Sequence, residues 1–220
     1  MISGTRVVPD TRDMIVVHRA FRREARALPG LVAAVRPGDV ARARLLAEHL
    51  DDCTLGLHLH HSGEDELLWP LLLRRVDLEA ELVLSMESQH QEISAVFTRI
   101  TDLLPRWRET AGERERDALA AALTEAAALL TEHLDQEEKE ILPLVEQHLT
   151  SAEWERLGEH FGEGLPRQKM LFFMGSLLEE ATPEEQALFL AKIPLPGKAL
   201  WYLLGRGAYR RRVARVRAAG

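Results

Sequence analysis

The sequence predicts an all-α protein, an up-and-down four-helix bundle with additional helices at its C-terminal end. Three observations predict it. Strand-like alternation is scarce, while the helix formers Ala, Leu, Glu and Arg dominate. Apolar positions recur three and four residues apart, the spacing of one helix face. Four long helical stretches follow one another with short connections, as antiparallel neighbours in a bundle do. At 220 residues, 46% of them hydrophobic, the chain is long enough to bury such a core.

The elements follow in order. The first helix is expected from Thr11 to Leu28, with Met14, His18, Phe21, Ala25 and Leu28 on one face, and Pro29-Gly30 is expected to stop it. The second starts near Asp39 and runs to about Leu68, bent or ended by Pro70. The third spans Asp77 to Leu104, stops at Pro105, and sets Met86, His90, Ile93, Phe97 and Ile100 on one face. The fourth runs from Glu113 into EKEILPLV, where Pro143 repeats the role of Pro70. Beyond Thr150 the signals shorten. Thr150 with Glu153 and Thr182 with Glu185 match the capping-box pattern, and Pro183 occupies the favoured first helical position. Two or three helices are expected between 151 and 193, then a break at Pro194-Leu195-Pro196-Gly197, then a last helix. The organisation is therefore a bundle over residues 1–150 and a helical extension over 151–220, packed on the bundle and ending in a basic segment.

Charge narrows the function classes. The net charge is −7, yet from residue 197 onward Lys198, Arg206, Arg210, Arg211, Arg212, Arg215 and Arg217 stand without an acid, so the rest of the chain carries −14. That balance opposes nucleic-acid binding by the body of the protein. No cationic N-terminal segment leads into an apolar stretch with a small-residue cleavage site, and no apolar run approaches the roughly 20 residues that span a bilayer. The expected location is the cytoplasm. A lone cysteine, Cys53, cannot form an internal disulfide, agrees with a reducing compartment, and reads as a small buried side chain.

The stretch HLHHSGEDELLWP, residues 58–70, is dense in metal-ligating side chains, and laying the chain on itself explains it. His60 meets His133, Glu64 meets Glu137, Asp65 meets Glu138 and Pro70 meets Pro143, all at an offset of 73 residues. Upstream, Met14 meets Met86, His18 meets His90 and Phe21 meets Ile93 at an offset of 72. Glutamate is common here, so a single His with Glu four residues later is unspecific. Two such pairs, each with a proline ten residues after the histidine and another histidine 42 or 43 residues before it, form a duplicated helical hairpin.

The spacing has a chemical reading. Residues four apart on a helix share a face about 6 Å apart, so His60 with Glu64 and His133 with Glu137 can reach one interior site together. With His18 and His90 facing in, the set is four imidazoles and two carboxylates. Two carboxylates in an apolar core need compensating positive charge. Mixed nitrogen and oxygen donors suit iron, manganese or zinc better than calcium or magnesium. Each carboxylate can bridge a metal pair, whose members sit roughly 3.5 to 4 Å apart in such sites. Six protein ligands shared between two metals leave coordination positions for a small ligand.

The residues His18, His60 with Glu64, His90, and His133 with Glu137 resemble the H-HxxxE-H-HxxxE arrangement of the hemerythrin-like, or HHE cation-binding, domain, over about residues 10 to 150. The length and the Pro-Leu-Pro-containing C-terminal region resemble a subgroup common in actinobacteria. The resemblance implies a hemerythrin-like four-helix bundle holding two iron ions in a non-haem di-iron centre, bridged by the two glutamates and an oxo or hydroxo group, with manganese or zinc less favoured. It implies a small diatomic or peroxide ligand: dioxygen, hydrogen peroxide or nitric oxide. Oxygen-carrying hemerythrins use five histidines where this motif supplies four, so reversible oxygen transport is not the favoured reading; His58, His61 or His160 would be the source of a fifth. Ferritin-like di-iron bundles carry more carboxylates than imidazoles. The reversed ratio here favours binding, sensing or peroxide chemistry over oxidation of strong C–H bonds.

Two functions follow. One is an enzyme-like di-iron protein that handles small oxidants in oxidative or nitrosative stress defence, with catalase-like or nitric-oxide peroxidase-like turnover. The other is a non-catalytic sensor or interaction module whose metal or ligand occupancy is read through the C-terminal helices. Of the remaining residues, His49 and Cys53 fall near the His60 face, Trp69 and Trp154 read as packing aromatics, and His148 as a solvated helix-end residue. Trp201, Tyr202, Leu203 and Leu204 followed by six arginines read in two ways. The preferred reading packs the apolar part on the bundle and pairs the arginines with its excess acids; the other docks the segment on anionic lipid.

Overall fold

The computed structural model describes residues 7–218 and contains no strand among them. The first six and last two residues, which include the ends of the two expected units and the start of the N-terminal stretch read for a targeting signal, lie outside the described residues. Four long helical columns make the bundle: α1 (Arg12–Ala33); α2 (Val40–Gly63), continued through a π turn (Glu64–Leu68) into α3 (Trp69–Leu73); α4 (Ala80–Thr110); and α5 (Glu113–Gln136), continued through a second π turn (Glu137–Ile141) into α6 (Leu142–His148). Neighbours pack in the order α1, α2, α4, α5 and back to α1.

Prolines behave differently from expectation. Neither Pro29 nor Pro105 ends its helix: α1 runs on to Ala33 and α4 to Thr110. An interior proline costs about 3 kcal/mol, but stopping at either would expose Val32, or Trp107, each now fully buried in one apolar cluster. Pro70 and Pro143 also leave their columns continuous, and each follows a π turn. A proline ring collides with the carbonyl four residues back. The wider turn relieves this: Trp69 N–H donates to the Glu64 carbonyl, and Leu142 N–H to that of Glu137, five residues back in each case. The duplicated proline therefore shapes the backbone under each duplicated glutamate.

The helix ends follow local chemistry. Asp39 caps α2 by accepting from the Arg42 N–H. Ala111, at φ 45°, ends α4 in the left-handed conformation, and its N–H donates to the Trp107 carbonyl. After the bundle come α7 (Ser151–Gly164), a 3-10 turn (Arg167–Lys169), α8 (Met170–Glu180) and α9 (Pro183–Ala191), and both expected capping boxes form at Thr150 and Thr182. The last column starts earlier than expected, with α10 (Leu195–Leu200), a π turn (Trp201–Gly205) and α11 (Arg206–Arg217). Pro196 falls in the first turn of α10, where a missing N–H leaves no helical bond unmade.

Packing positions the site. One apolar cluster fills the end of the bundle around Leu46, Leu50, Ile100, Trp107 and Leu119. A second fills the opposite end around Met14, Leu68, Trp69, Met86, Ile141 and Val145. The polar residues of the duplicated motif lie between them. Trp69 and Trp154 are buried at 2% and 5% exposure, and their indole N–H groups donate to Asp65 and Asp13. No helix among the described residues is long and apolar enough to cross a membrane.

Candidate metal centre

Each hairpin delivers its motif residues to the same level of the bundle. His18 from α1, His60 from α2, His90 from α4 and His133 from α5 point inward, and Glu64 and Glu137 enter at the first residue of their π turns. All six are buried, with Glu64, Glu137, His18 and His133 at 0% exposure. Their donor atoms, with His61, form two overlapping groups, each closing within 4.8 Å: His18, His60, Glu64 and Glu137 in one, His61, Glu64, His90 and His133 in the other. Glu64 belongs to both. Its Oε1 lies 3.3 Å from His60 Nε2 and its Oε2 3.5 Å from His90 Nε2. Glu137 Oε2 lies 3.4 Å from His18 Nε2 and 3.6 Å from His133 Nε2.

The electrostatics of this arrangement call for a cation. All four carboxylate oxygens of Glu64 and Glu137, with Nε2 of His18, His60 and His61, are buried without a hydrogen-bond partner. Burial and the facing Glu137 push the Glu64 carboxyl well above its ordinary range, and burial raises Glu137. Burial and the neighbouring histidines push His60 and His61 well below the usual imidazole range, and His133 to about 2. His60, His61 and His133 are thus held neutral and ready to ligate, while each carboxyl holds a proton that a metal would displace.

A second ring of residues orients the imidazoles. His18 Nδ1 lies 2.9 Å from Glu138 Oε1, His90 Nδ1 2.7 Å from Asp65 Oδ1, and His133 Nδ1 3.0 Å from Gln89 Oε1. A carboxylate only accepts, so the proton sits on Nδ1 of His18 and His90. Gln89 gives its own amide N–H to Gln136 Oε1, which leaves its oxygen to accept from His133. The lone pairs on Nε2 therefore face the centre. His90 Nε2 and His133 Nε2 stand 3.2 Å apart. With both protons on Nδ1 neither can donate to the other, and the pair repels unless a cation lies between. The residues fit a metal.

The structure brings the six expected residues to one place and gives Asp65 and Glu138, paired by the duplication, a role outside that set. They orient the cross-bundle histidines, and the 73-residue offset that pairs them was the available signal. Gln89 has no counterpart in the duplication, so no pattern marked it. His61, named from the sequence as one source of a fifth histidine, is 8% exposed and reaches the centre. Successive helical residues diverge by about 100°, and that angle separates two useful directions. His60 meets His18 and Phe21 of α1, with ring centroids 5.3 and 5.1 Å away, while His61 stacks on His90 of α4 at 4.0 Å.

The other histidines stand apart. His58 is exposed. It lines, with His61, Asp65 and His90, a groove of about 680 Å³ between α2 and α4 that reaches the centre from solvent. His160 of α7 leans on Ser62 and Gly63 and belongs to neither ligand group. His148 is half-buried at the end of α6. His49 and Cys53 do not line the centre. His49 Nε2 bonds Glu24 at 2.9 Å, and Cys53 borders a small apolar cavity with Phe21, Leu50 and Leu130. Burial pushes the Cys53 thiol well up, so it is not a ready nucleophile.

Comparison with known proteins adds one finding. The family model described as "Hemerythrin HHE cation binding domain" matches residues 10–145, the span that holds all the inward-facing histidines and glutamates. No curated protein and no solved structure matches the chain.

Proposed function

The chain belongs to the hemerythrin HHE cation-binding domain family, and from that premise we propose that it is a cytoplasmic non-haem di-iron protein that binds or reacts with dioxygen, hydrogen peroxide or nitric oxide in defence against oxidative or nitrosative stress. His18, His60, His90 and His133 would hold the two irons, with Glu64 and Glu137 as bridges. The observation that carries this reading is Glu64, whose two unpartnered oxygens face imidazoles of both donor groups. Bound there, the irons supply a Lewis-acid and redox centre with positions left for a small ligand.

The chain's own residues do the rest. Glu138, Asp65 and Gln89 hold three imidazoles with their lone pairs inward. Phe21, Leu57, Ile93, Leu130 and Leu134 wall the centre with apolar surface. The groove between α2 and α4 admits a diatomic or peroxide past His61.

The test is iron content and a visible spectrum on protein expressed with added iron, followed by peroxide and by nitric oxide. Near two irons per chain, a band that changes on addition, and repeated turnover lost in His133→Ala support the proposal. Absence of bound transition metal after iron loading would sink it. The sensor reading has one contact in its favour: α7, through His160, rests on Ser62 and Gly63 immediately before Glu64. Stoichiometric binding without turnover, with altered hydrogen exchange in α7, would select it instead.

A further inference from the structure

The last helical column is polarised along its length. Its inner face is anchored: Trp201, Tyr209 and Val213 pack with Leu178 of α8, and Val216 reaches the bundle core. Arg212 pairs with Asp52, and Arg217 with Glu179. The outer face has no such partners. Leu195, Leu200, Tyr202, Leu203 and Leu204 are 79%, 46%, 58%, 80% and 62% exposed, a concentration of large apolar side chains in ten residues. Arg206, Arg210, Arg211 and Arg215 are exposed, Lys198 is half-buried, and none forms an ion pair with a described residue. No acid occurs between Gln186 and the end of the chain.

Leu203 and Arg210, and Leu204 and Arg211, are seven residues apart, about two turns and roughly 10 Å along one line of the helix. An exposed apolar end is thus followed on the same side by a collar of free guanidinium groups. That distance is comparable to the roughly 5 to 10 Å that an interfacial helix sinks into the boundary between headgroups and acyl chains. We propose that this column docks the protein on an anionic phospholipid membrane, the leucines and Tyr202 entering the acyl boundary and the arginines contacting headgroup phosphates.

Charge argues for this occupant over others. A second copy on a two-fold axis would set one arginine collar against another. A nucleic acid would use the arginines but leave the five apolar side chains in water. The acidic body, which carries −14 against the +7 of residues 197–220, would orient away from the same surface.

The experiment is co-sedimentation of the full-length, iron-loaded protein with vesicles of phosphatidylcholine alone and of phosphatidylcholine with phosphatidylglycerol. Wild type is expected on the anionic vesicles only, released by salt. Each free arginine contributes roughly fivefold, so Arg206→Glu, Arg210→Glu and Arg211→Glu together should weaken binding on the order of a hundredfold. Leu203→Ser with Leu204→Ser, both at exposed positions that leave the fold intact, should weaken it at least tenfold. Three results would overturn the proposal: no binding to anionic vesicles, vesicle binding unchanged by the leucine substitutions, or duplex DNA binding of equal strength that those substitutions leave intact. Self-association abolished by the leucine substitutions, with no vesicle binding, would make the face an interface between copies instead.

Discussion

Removing the Glu138 carboxylate isolates the outer ring of the centre from its donors. Glu138 Oε1 holds His18 Nδ1 at 2.9 Å and Arg22 at 2.6 Å, and its side chain is 25% exposed. Its counterpart Asp65 holds His90 at 2.7 Å but is 43% exposed, so solvent screens it more. Loss of such a partner typically lowers metal affinity 10- to 100-fold, about 1.4 to 2.7 kcal/mol. Glu138→Ala should therefore fall near the upper end and Asp65→Ala near the lower, both at full stoichiometry because the inward donors are untouched. Glu138→Gln keeps an acceptor for the Nδ1 proton and should recover most of the loss. Arg22 retains Asp135 at 2.6 Å, so metal-free stability should change by no more than about 1 kcal/mol. The assay is anaerobic iron(II) titration against a competing chelator, beside thermal melts of the metal-free proteins. Wild-type affinity in both alanine variants would refute the idea that these carboxylates aim the imidazoles.

Three further outcomes are expected. Glu64→Leu removes the carboxylate shared by both donor groups; iron should be lost, yet the metal-free protein should melt higher than metal-free wild type, by about 1 to 4 kcal/mol of stability, and a lower melt would contradict the claim that the buried carboxyls cost the apo fold. Burial alone would raise the Glu24 pKa, but the His49 hydrogen bond and Arg23 hold it at about 2 against an ordinary 4.5. Its stabilisation, roughly 3 kcal/mol at about 1.4 per unit, is therefore complete above the ordinary value and lost as pH falls toward 2. Denaturant titrations of wild type and Glu24→Gln should differ at neutral pH and converge in acid, and parallel curves would count against it. Pro143→Ala removes the ring that excludes a regular turn after Glu137; iron affinity should drop at least tenfold with helix content preserved, and an unchanged affinity would free the π turn from the proline.

Much of this protein was legible because its chemistry is periodic. Heptad-like spacing exposed the four columns, and the 73-residue self-alignment exposed His60, Glu64, His133 and Glu137 without any neighbour in space. Prolines misled the reading of helix ends. A proline penalty is local and can be read from sequence, whereas the burial that outweighs it, at Val32 or Trp107, depends on helices far along the chain. Gln89 escaped for a related reason: a lone glutamine carries no pattern, and only the pairing of α4 with α5 brings it to His133.

The sequence alone determined the helical class, the duplicated hairpin and the identity of the inward donors, because each is set by helical period and residue type. Tertiary structure decided what these donors face. It made Glu64 common to both donor groups, sent Asp65 and Glu138 across the bundle to fix two imidazole tautomers, and brought His61 against His90. It also divided the C-terminal arginines into those that pair and those that stand free. Such facts are distances between residues remote in sequence, and those distances exist only once four apolar faces have closed on one another.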